Sequence, residues 1–406
     1  MFSVMGLSFA IMLILSAISL WNEDYSASAW QTVLCFWCVT LVCYLVNIFG
    51  VKYLDKINTI CVYWTGCSII IIMITILTMA PSRHDAKYVF AHYDASQSGW
   101  PTGWSFFVGL MQPAYVLTGY GMVAAMCEEV QNPDREVPKA ITWSVVAAGV
   151  TGLIYLIPIL FVLPDVHALL NVTSGQPIGL IFKHATGSAS GGFGLLFLIL
   201  GIWFFAGIGA LTASSRCTYA FARDGAIPWS KYWSRIDKRF DMPLLALTLS
   251  AAIDALLGLI YFGSEAAFNS FTGVATISLS ASYAFPILVS LVNRRHKVLG
   301  AHFSLGRMGF FVNIVTVCWI VLAVFLLSMP TSLKDLDESS MNYASVVFAG
   351  FAAISFHFQG PPILLTDVPS LAIGVHKDGL DDVEKAEYRE KQETTVTDFR
   401  PDEWQA

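Results

Sequence analysis

Residues 118–140 read TGYGMVAAMCEEVQNPDREVPKA, and this stretch decides how the rest of the chain is interpreted. The apolar segment leading into it is interrupted by Gly119 and Gly121, continues briefly, and then runs into a dense group of charged side chains. Lipid cannot hydrogen-bond free backbone groups, so a helix breaks at membrane depth only where protein or a cavity surrounds it. The two glycines therefore predict an interior site in a bundle of membrane helices, and the charged group predicts a membrane surface.

The composition of the whole chain is that of a membrane protein. Of its 406 residues, 56% are hydrophobic and 13% are charged, and the mean hydropathy is +0.63. A soluble domain has about 25% charged residues, so the bilayer is the expected solvent and partner. The net charge of −6 gives no indication of nucleic acid binding. Most of the eight cysteines lie within apolar stretches, which argues against a disulfide framework or a metal site.

Ten segments are apolar and long enough to cross a bilayer, which requires about 20 residues. The predicted fold class is therefore all-α, a polytopic bundle of membrane helices. The first segment has no basic stretch before it and no clear cleavage site, so we interpret it as a membrane helix rather than a signal peptide. The predicted spans are 2–20, 28–49, 57–80, 103–126, 141–163, 191–215, 243–262, 266–292, 308–329 and 341–358.

Lysine and arginine are distributed unequally between the two sets of loops. If the loop at 50–56 is cytoplasmic and the sides alternate from there, the inner loops contain fourteen of these residues and the outer loops four. This bias follows the positive-inside rule and assigns both chain ends to the cytoplasm. The acidic, polar composition of 361–406 predicts a disordered cytoplasmic tail.

Asp254 is the exception among spans that otherwise almost entirely lack charge, and it lies about half way along the span 243–262. A carboxylate inside a membrane helix is costly and by default indicates a proton or cation site. The alternative is a structural hydrogen bond to a Ser or Thr side chain of a neighbouring helix. The sequence leaves both interpretations open.

Four stretches of the chain, taken together, resemble one transporter family. They are NIFGVK at 47–52, EEVQNPDREVPKAI at 128–141, SSRCTYAFARDGAIP at 214–228 and FTGVATISLSASYAFP at 271–286. In this order they resemble the amino acid–polyamine–organocation permeases, and within that superfamily the fungal permeases for GABA, choline and related amino acids. The resemblance runs through nearly all of residues 1–358.

The resemblance implies a fold of the leucine-transporter type, with twelve spans and two inverted repeats of five helices. On that scheme the segment 103–126 corresponds to the sixth span and 2–20 to the third. We therefore expect a permease domain at 1–360 that lacks the first two spans, as in an incomplete gene product. In this fold the first span is also broken, and it supplies the other wall of the substrate site.

The broken sixth span lines the substrate site in this family. The resemblance carries that role to Tyr115, Thr118, Gly119, Tyr120 and Gly121. Glycines let the backbone open toward a ligand, and a tyrosine ring can contact an ammonium group. The alternative is close packing of helices through small residues. Many relatives have an acidic residue at the position of Gly121 and a histidine near Ala125, and this chain has neither.

A second group of candidate residues is charged and lies at the inner membrane surface. As ion pairs they would hold one state of a gate and separate in the other. The alternative is ordinary solvated loop charge, since an exposed ion pair contributes only about 0–1 kcal/mol. The predicted gating or structural residues are Glu128, Glu129, Asp134, Arg135, Lys139, Arg223 and Asp224.

The function implied by the resemblance is secondary active transport. We expect a small-molecule substrate (an amino acid, GABA or a related amine such as choline), coupling to protons, alternating access, and a plasma-membrane rather than vacuolar location. Enzymatic activity and a cofactor are not expected, because the loops show no nucleophile–base–acid set, phosphate loop or metal cluster. The alternative function is a transport-inactive permease fragment or a membrane interaction protein.

Overall fold

The computed structural model describes residues 2–22, 25, 27–96, 98–166, 169, 176–240, 242–262, 265–293, 303–330 and 344–359. The predicted tail at 361–406 lies outside the described residues. The chain divides into two units, Met1–Phe351 and Ala352–Ala406. Within the described ranges the regular structure is helical, apart from one isolated bridge between Asp237 and Met242. The prediction of an all-α fold is confirmed.

All ten predicted spans contain helix, and most of their ends shift by only a few residues. Within the described residues, seven helices are long and apolar enough to cross a membrane. The part of the first helix from Ala10 to Ser19 is a shorter apolar segment. The α-helices are α1 (Phe2–Ser19), α2 (Ala29–Phe49), α3 (Leu54–Met79), α4 (Ala86–Ala91), α5 (Thr102–Gly109), α6 (Met111–Val116), α7 (Pro133–Phe161), α8 (Ile178–Thr186), α9 (Ala189–Arg223), α10 (Ser230–Trp233), α11 (Leu244–Gly258), α12 (Glu265–Val292), α13 (Met308–Leu327) and α14 (Ala344–Gln359). Short 3-10 helices occupy Val51–Tyr53, Tyr120–Glu129 and Leu259–Phe262.

The predicted span 103–126 is divided into three pieces. Helix α5 ends at Gly109, α6 covers Met111–Val116, and a 3-10 helix runs over Tyr120–Glu129. Pro113 accounts for the first interruption, because it has no N–H group to donate to the carbonyl of Gly109. The second interruption lies at residues 117–119, immediately before the 3-10 helix. The sequence pattern thus predicted a broken helix, and the structure contains one.

Helix α9 holds the bundle together. One cluster of buried apolar side chains joins it to α1, α3, α7 and α8, with Phe182 and Leu196 fully buried. A second cluster joins it to α1, α2 and α11 through Phe36, Leu211 and Leu247. A third, smaller cluster lies between α12, α13 and α14 around Val274 and Ile277.

A buried polar contact fixes α2 against α9. The Asn47 side-chain amide donates to the carbonyl oxygens of Cys43 (2.9 Å) and Ile208 (3.2 Å). The Thr212 hydroxyl donates to Asn47 Oδ1 at 2.5 Å. Both side chains are buried, and hydrogen bonds between helices contribute about 0.6–2 kcal/mol in membranes. Asn47 is the first residue of the NIFGVK stretch, and its contacts give that position a structural role between α2 and α9.

Candidate functional site

Gly119 marks the break in the helix. Its backbone has φ = 95° and ψ = −3°, in the left-handed region that glycine adopts without steric cost. The amide of Met122 then donates to the Gly119 carbonyl oxygen at 3.0 Å, which begins the 3-10 helix. The chain therefore leaves α6, turns at Gly119 and continues with a tighter winding. The amide of Leu117 still donates to the Pro113 carbonyl oxygen at 3.0 Å, so the regular helical ladder ends there, just before the turn at Gly119.

A cavity of about 310 Å³ lies beside this break. Its walls come from α6 and the residues after it, from α7, and from the facing sides of α12 and α13. Polar side chains in the lining are the hydroxyl-bearing Thr118, Tyr120, Thr276, Ser280 and Tyr283, and Trp319 with its indole N–H. None of the lining residues that the structure describes is charged. The cavity is of the size and mainly apolar character of a small-molecule site.

Tyr283 fills the space beside Gly121. A Cβ atom placed on Gly121 would lie 2.5 Å from both Cε1 and Cζ of the Tyr283 ring. Such distances are far below van der Waals contact, so position 121 accepts no side chain unless Tyr283 moves. An acidic side chain at position 121 would therefore require the Tyr283 ring to lie elsewhere.

The two tyrosine rings form one aromatic wall. The ring centroids of Tyr120 and Tyr283 are 4.9 Å apart, with the ring planes inclined at 37°. The Tyr283 hydroxyl oxygen is buried and lies beside the backbone of Gly121. The Thr118 hydroxyl donates to the Ala114 carbonyl at 2.7 Å, which leaves its oxygen able to accept. Trp319 of α13 adds a third aromatic ring to the lining.

The predicted substrate-binding residues fall together at this cavity, in different ways. Thr118 and Tyr120 line it directly. Gly119 and Gly121 shape it, one through its backbone conformation and the other through the room it leaves for a ring. Tyr115 lies in α6, and its side chain is outside the described part of the structure.

Sequence reasoning missed the facing wall of the cavity. Thr276, Ser280 and Tyr283 follow one another at intervals of four and three residues, which places them on one face of α12. Their helical spacing was the available signal, although other polar residues such as Ser278 and Ser282 stand in the same span. Trp319 stands in a span rich in large apolar residues, and no pattern in the sequence distinguishes it.

The charged residues at the inner end form local pairs. Lys139 Nζ is 2.9 Å from Glu136 Oε1, with both side chains about half exposed. Arg223 Nε is 3.5 Å from Asp224 Oδ1 of the next residue. Asp134 and Arg135 lie in the first turn of α7. The side chains of Glu128 and Glu129 are outside the described part. Glu136 was not among the predicted gating residues, although it stands three residues before Lys139.

Asp254 is buried within the helix bundle rather than at the cavity. It lies on α11 with 2% of its surface exposed, and it is not among the lining residues. Helix α11 packs against α2, where Trp37 Nε1 donates to the Ala255 carbonyl oxygen at 3.1 Å. The structure therefore does not bring Asp254 together with the residues from Thr118 to Gly121.

Comparison with known protein families gives a match over most of the chain. Residues 1–351 match the family model described as amino acid permease. The matched region includes the broken helix, the cavity and both pairs of charged residues.

Individual relatives carry several substrate names. A polyamine transporter of Saccharomyces cerevisiae is 34% identical over 344 residues, which is 83% of this chain and 56% of the relative. A choline transporter of the same organism is 34% identical over 339 residues, which is 83% of this chain and 60% of the relative. An amino-acid permease of Arabidopsis thaliana is 31% identical over 323 residues, or 77% and 62%. The chain thus spans about three fifths of the length of these curated relatives.

Proposed function

We propose, since the chain belongs to the amino acid permease family, that it is a secondary transporter which carries a small amine or amino acid through the cavity beside Gly119. As a member of that family it is an integral, multi-pass membrane protein. The observation that carries the proposal is an uncharged cavity lined by hydroxyl groups and aromatic rings at a broken helix. Nutrient uptake favours the plasma membrane over the vacuole as its location.

The lining favours a substrate with one cationic group, of the choline or GABA type, over a polyamine. Each ammonium group of a polyamine needs a carboxylate or several polar acceptors, and the described lining supplies no carboxylate. A single ammonium group can instead be held against the rings of Tyr120, Tyr283 and Trp319. If the substrate also has a carboxylate, the first backbone amides of the 3-10 helix that begins at Tyr120 are candidate donors to it.

Alternating access would act through the same broken helix. The segment from Gly119 to Glu129 has 3-10 winding, which is less stable than α-helix and often marks a functional hinge. The predicted gating residues stand where this segment meets the inner surface. They are Glu128, Glu129, Asp134, Arg135, Lys139, Arg223 and Asp224. Exposed pairs such as Lys139–Glu136 are weak, which suits contacts that separate and form again during a transport cycle.

Uptake into cells that lack their own permeases tests this proposal. We expect labelled choline or GABA to enter faster than labelled spermidine. Replacing Tyr283 by leucine is expected to lower uptake at limiting substrate by about 3- to 30-fold, because a cation–ring contact contributes about 0.5–2 kcal/mol. Tyr283→Phe keeps the ring and is expected to stay within about threefold of the parent.

The matched control is Phe325→Leu on α13. Phe325 is exposed and does not line the cavity, so the same loss of an aromatic ring leaves uptake unchanged. Equal losses for Tyr283→Leu and Phe325→Leu would show that the cavity does not hold the substrate. Faster uptake of spermidine than of choline and GABA would contradict the preference for a single cationic group.

Proton coupling is part of the proposal and assigns the proton to Asp254. A carboxylate buried in a membrane helix can bind and release a proton between two states of a transport cycle. We expect Asp254→Asn to abolish the stimulation of uptake by an inward proton gradient and to retain exchange of labelled for unlabelled substrate. The measurement compares uptake into proteoliposomes with and without an imposed gradient. Gradient-driven uptake by Asp254→Asn would leave Asp254 with a structural role.

A further inference from the structure

Six exposed basic side chains share one surface, which we call the basic face. They belong to two connecting segments, 50–56 and 229–240, at the end of the bundle that the charge bias assigns to the cytoplasm. The two loops are packed together: the rings of Phe49 and Phe240 meet edge to face at 6.4 Å, over a core around Ile48 and Met242. The basic face consists of Lys52, Lys56, Lys231, Arg235, Lys238 and Arg239.

Aromatic rings alternate with these cations. Lys56 Nζ is 5.6 Å from the centre of the Tyr53 ring, and the guanidinium carbon of Arg235 is 5.2 Å from that of Tyr232. Arg239 lies over Phe240 at 5.9 Å. Each ring positions a cation without neutralising its charge, because a ring supplies only a quadrupole. Three of the six cations are therefore held in place and remain charged toward an anion.

Trp229 gives a second, independent observation. It has φ = 56° and ψ = 33°, a conformation that is strained for a bulky residue, and its side chain is 74% exposed. Tyr232, one turn later, is also exposed. Tryptophan and tyrosine are enriched at the level of lipid headgroups, where one part of the ring system is in apolar and the other in polar surroundings. Exposed rings of this kind indicate a surface that meets lipid.

Acidic side chains of the described residues near the basic face do not pair with its cations, although the exposed Asp55 stands between Lys52 and Lys56. No ion pair of the described part includes any of its six side chains. The nearby Asp237 carboxylate accepts a hydrogen bond from the backbone amide of Arg239 at 2.8 Å. This carboxylate therefore bonds to the backbone of its own loop. An external anion is the natural partner for such a surface.

We propose that the basic face binds the headgroup of an anionic phospholipid in the cytoplasmic leaflet. The face adjoins the first residues of the membrane helices α3 and α11, so a bound phosphate would lie at headgroup level. Clusters of basic residues immediately beside membrane helices attract anionic lipids. The aromatic rings and cations together fit a lipid surface, whereas a soluble polyanion would not require the exposed Trp229.

Native mass spectrometry of the purified full chain tests the proposal. Phosphatidylserine and phosphatidylcholine with identical acyl chains are titrated separately at low salt. We expect at least tenfold tighter binding of phosphatidylserine. The double variant Arg235→Gln/Arg239→Gln is expected to lose roughly 30-fold in that binding, and Arg235→Lys/Arg239→Lys to lose no more than a few-fold. Added salt should weaken binding to the parent protein.

Lys87→Gln provides the control, since Lys87 is an exposed lysine of α4 on the opposite side of the predicted topology. It is expected to bind phosphatidylserine as the parent does. Equal binding of the two lipids would overturn the proposal, as would an unchanged affinity of the double glutamine variant or an equal loss in Lys87→Gln. Displacement of the lipid by soluble phosphoserine at similar concentration would assign the face to a soluble ligand instead.

Discussion

Replacement of Gly121 by alanine is expected to lower substrate uptake by about ten-fold or more at limiting substrate. The new methyl group would stand 2.5 Å from two atoms of the Tyr283 ring. Overpacking of this kind costs about 1–3 kcal/mol, and 1.4 kcal/mol corresponds to a factor of ten. The ring must move into the cavity or away from Tyr120, and either movement changes the wall that faces the substrate. Initial uptake rates, normalised to the amount of protein in the membrane, provide the measurement.

A second substitution separates this contact from a general defect. In Tyr283→Ala the ring is gone, so adding Gly121→Ala should then cost little, and the two effects should be far from additive. Gly152→Ala on α7 is the matched control. A Cβ atom there has no neighbour within 4 Å, and alanine favours helix over glycine. Additive losses in the double variant would show that Gly121 does not act through Tyr283.

Replacement of Gly119 by valine is expected to reduce uptake about 30-fold and to lower thermal stability in detergent. Gly119 has φ = 95°, where a side chain meets the backbone. The left-handed conformation costs an L-residue roughly 1–2 kcal/mol, and a β-branched residue is a strong outlier there. The break would shift along the chain or straighten, and the cavity would lose its present shape. Uptake rates and melting curves of the purified protein measure the two effects.

Gly119→Asn distinguishes backbone conformation from size. Asparagine has a side chain nearly as large as that of valine, but it tolerates positive φ far better. We expect this variant to retain uptake within about threefold. Equal losses for asparagine and valine would mean that the space at position 119, rather than its backbone conformation, is what the site requires.

Much of the architecture was accessible from the sequence because the bilayer imposes a simple rule. A helix must be about 20 apolar residues long to cross it, so the helical membrane fold was readable from the apolar segments, and seven described helices meet that requirement. The broken helix was accessible for the same reason: Pro113 and Gly119 interrupt a span at a depth where interruptions need protein around them. Thr118 and Tyr120, predicted to bind the substrate, line the cavity, and their role in binding stays a prediction.

The contacts between distant elements were not accessible. No periodicity in either segment indicates that Tyr283 lies against Gly121, since that contact depends on how α12 packs beside the broken helix. Thr276, Ser280 and Tyr283 stand at helical spacing, but the other Ser and Thr residues of the span make that spacing a weak signal in the sequence. Asp254 is recognisable in the sequence by its charge. Its place in the bundle depends on how α11 packs, and that packing puts it away from the cavity.

The two large buried clusters around α9 have a consequence for divergence. Within the described residues, the two large clusters lie on α1, α2, α3, α7, α8, α9 and α11, whereas α6, α7, α12 and α13 wall the cavity, so that α7 takes part in both. Most substitutions in the cavity wall outside α7 therefore leave the two large clusters untouched. We expect that such a chain can change the lining of its cavity in a few substitutions while these clusters stay intact. Proteins similar to this chain are named for polyamines, choline and amino acids. Variation in the cavity wall beside unchanged buried clusters would account for this range of names.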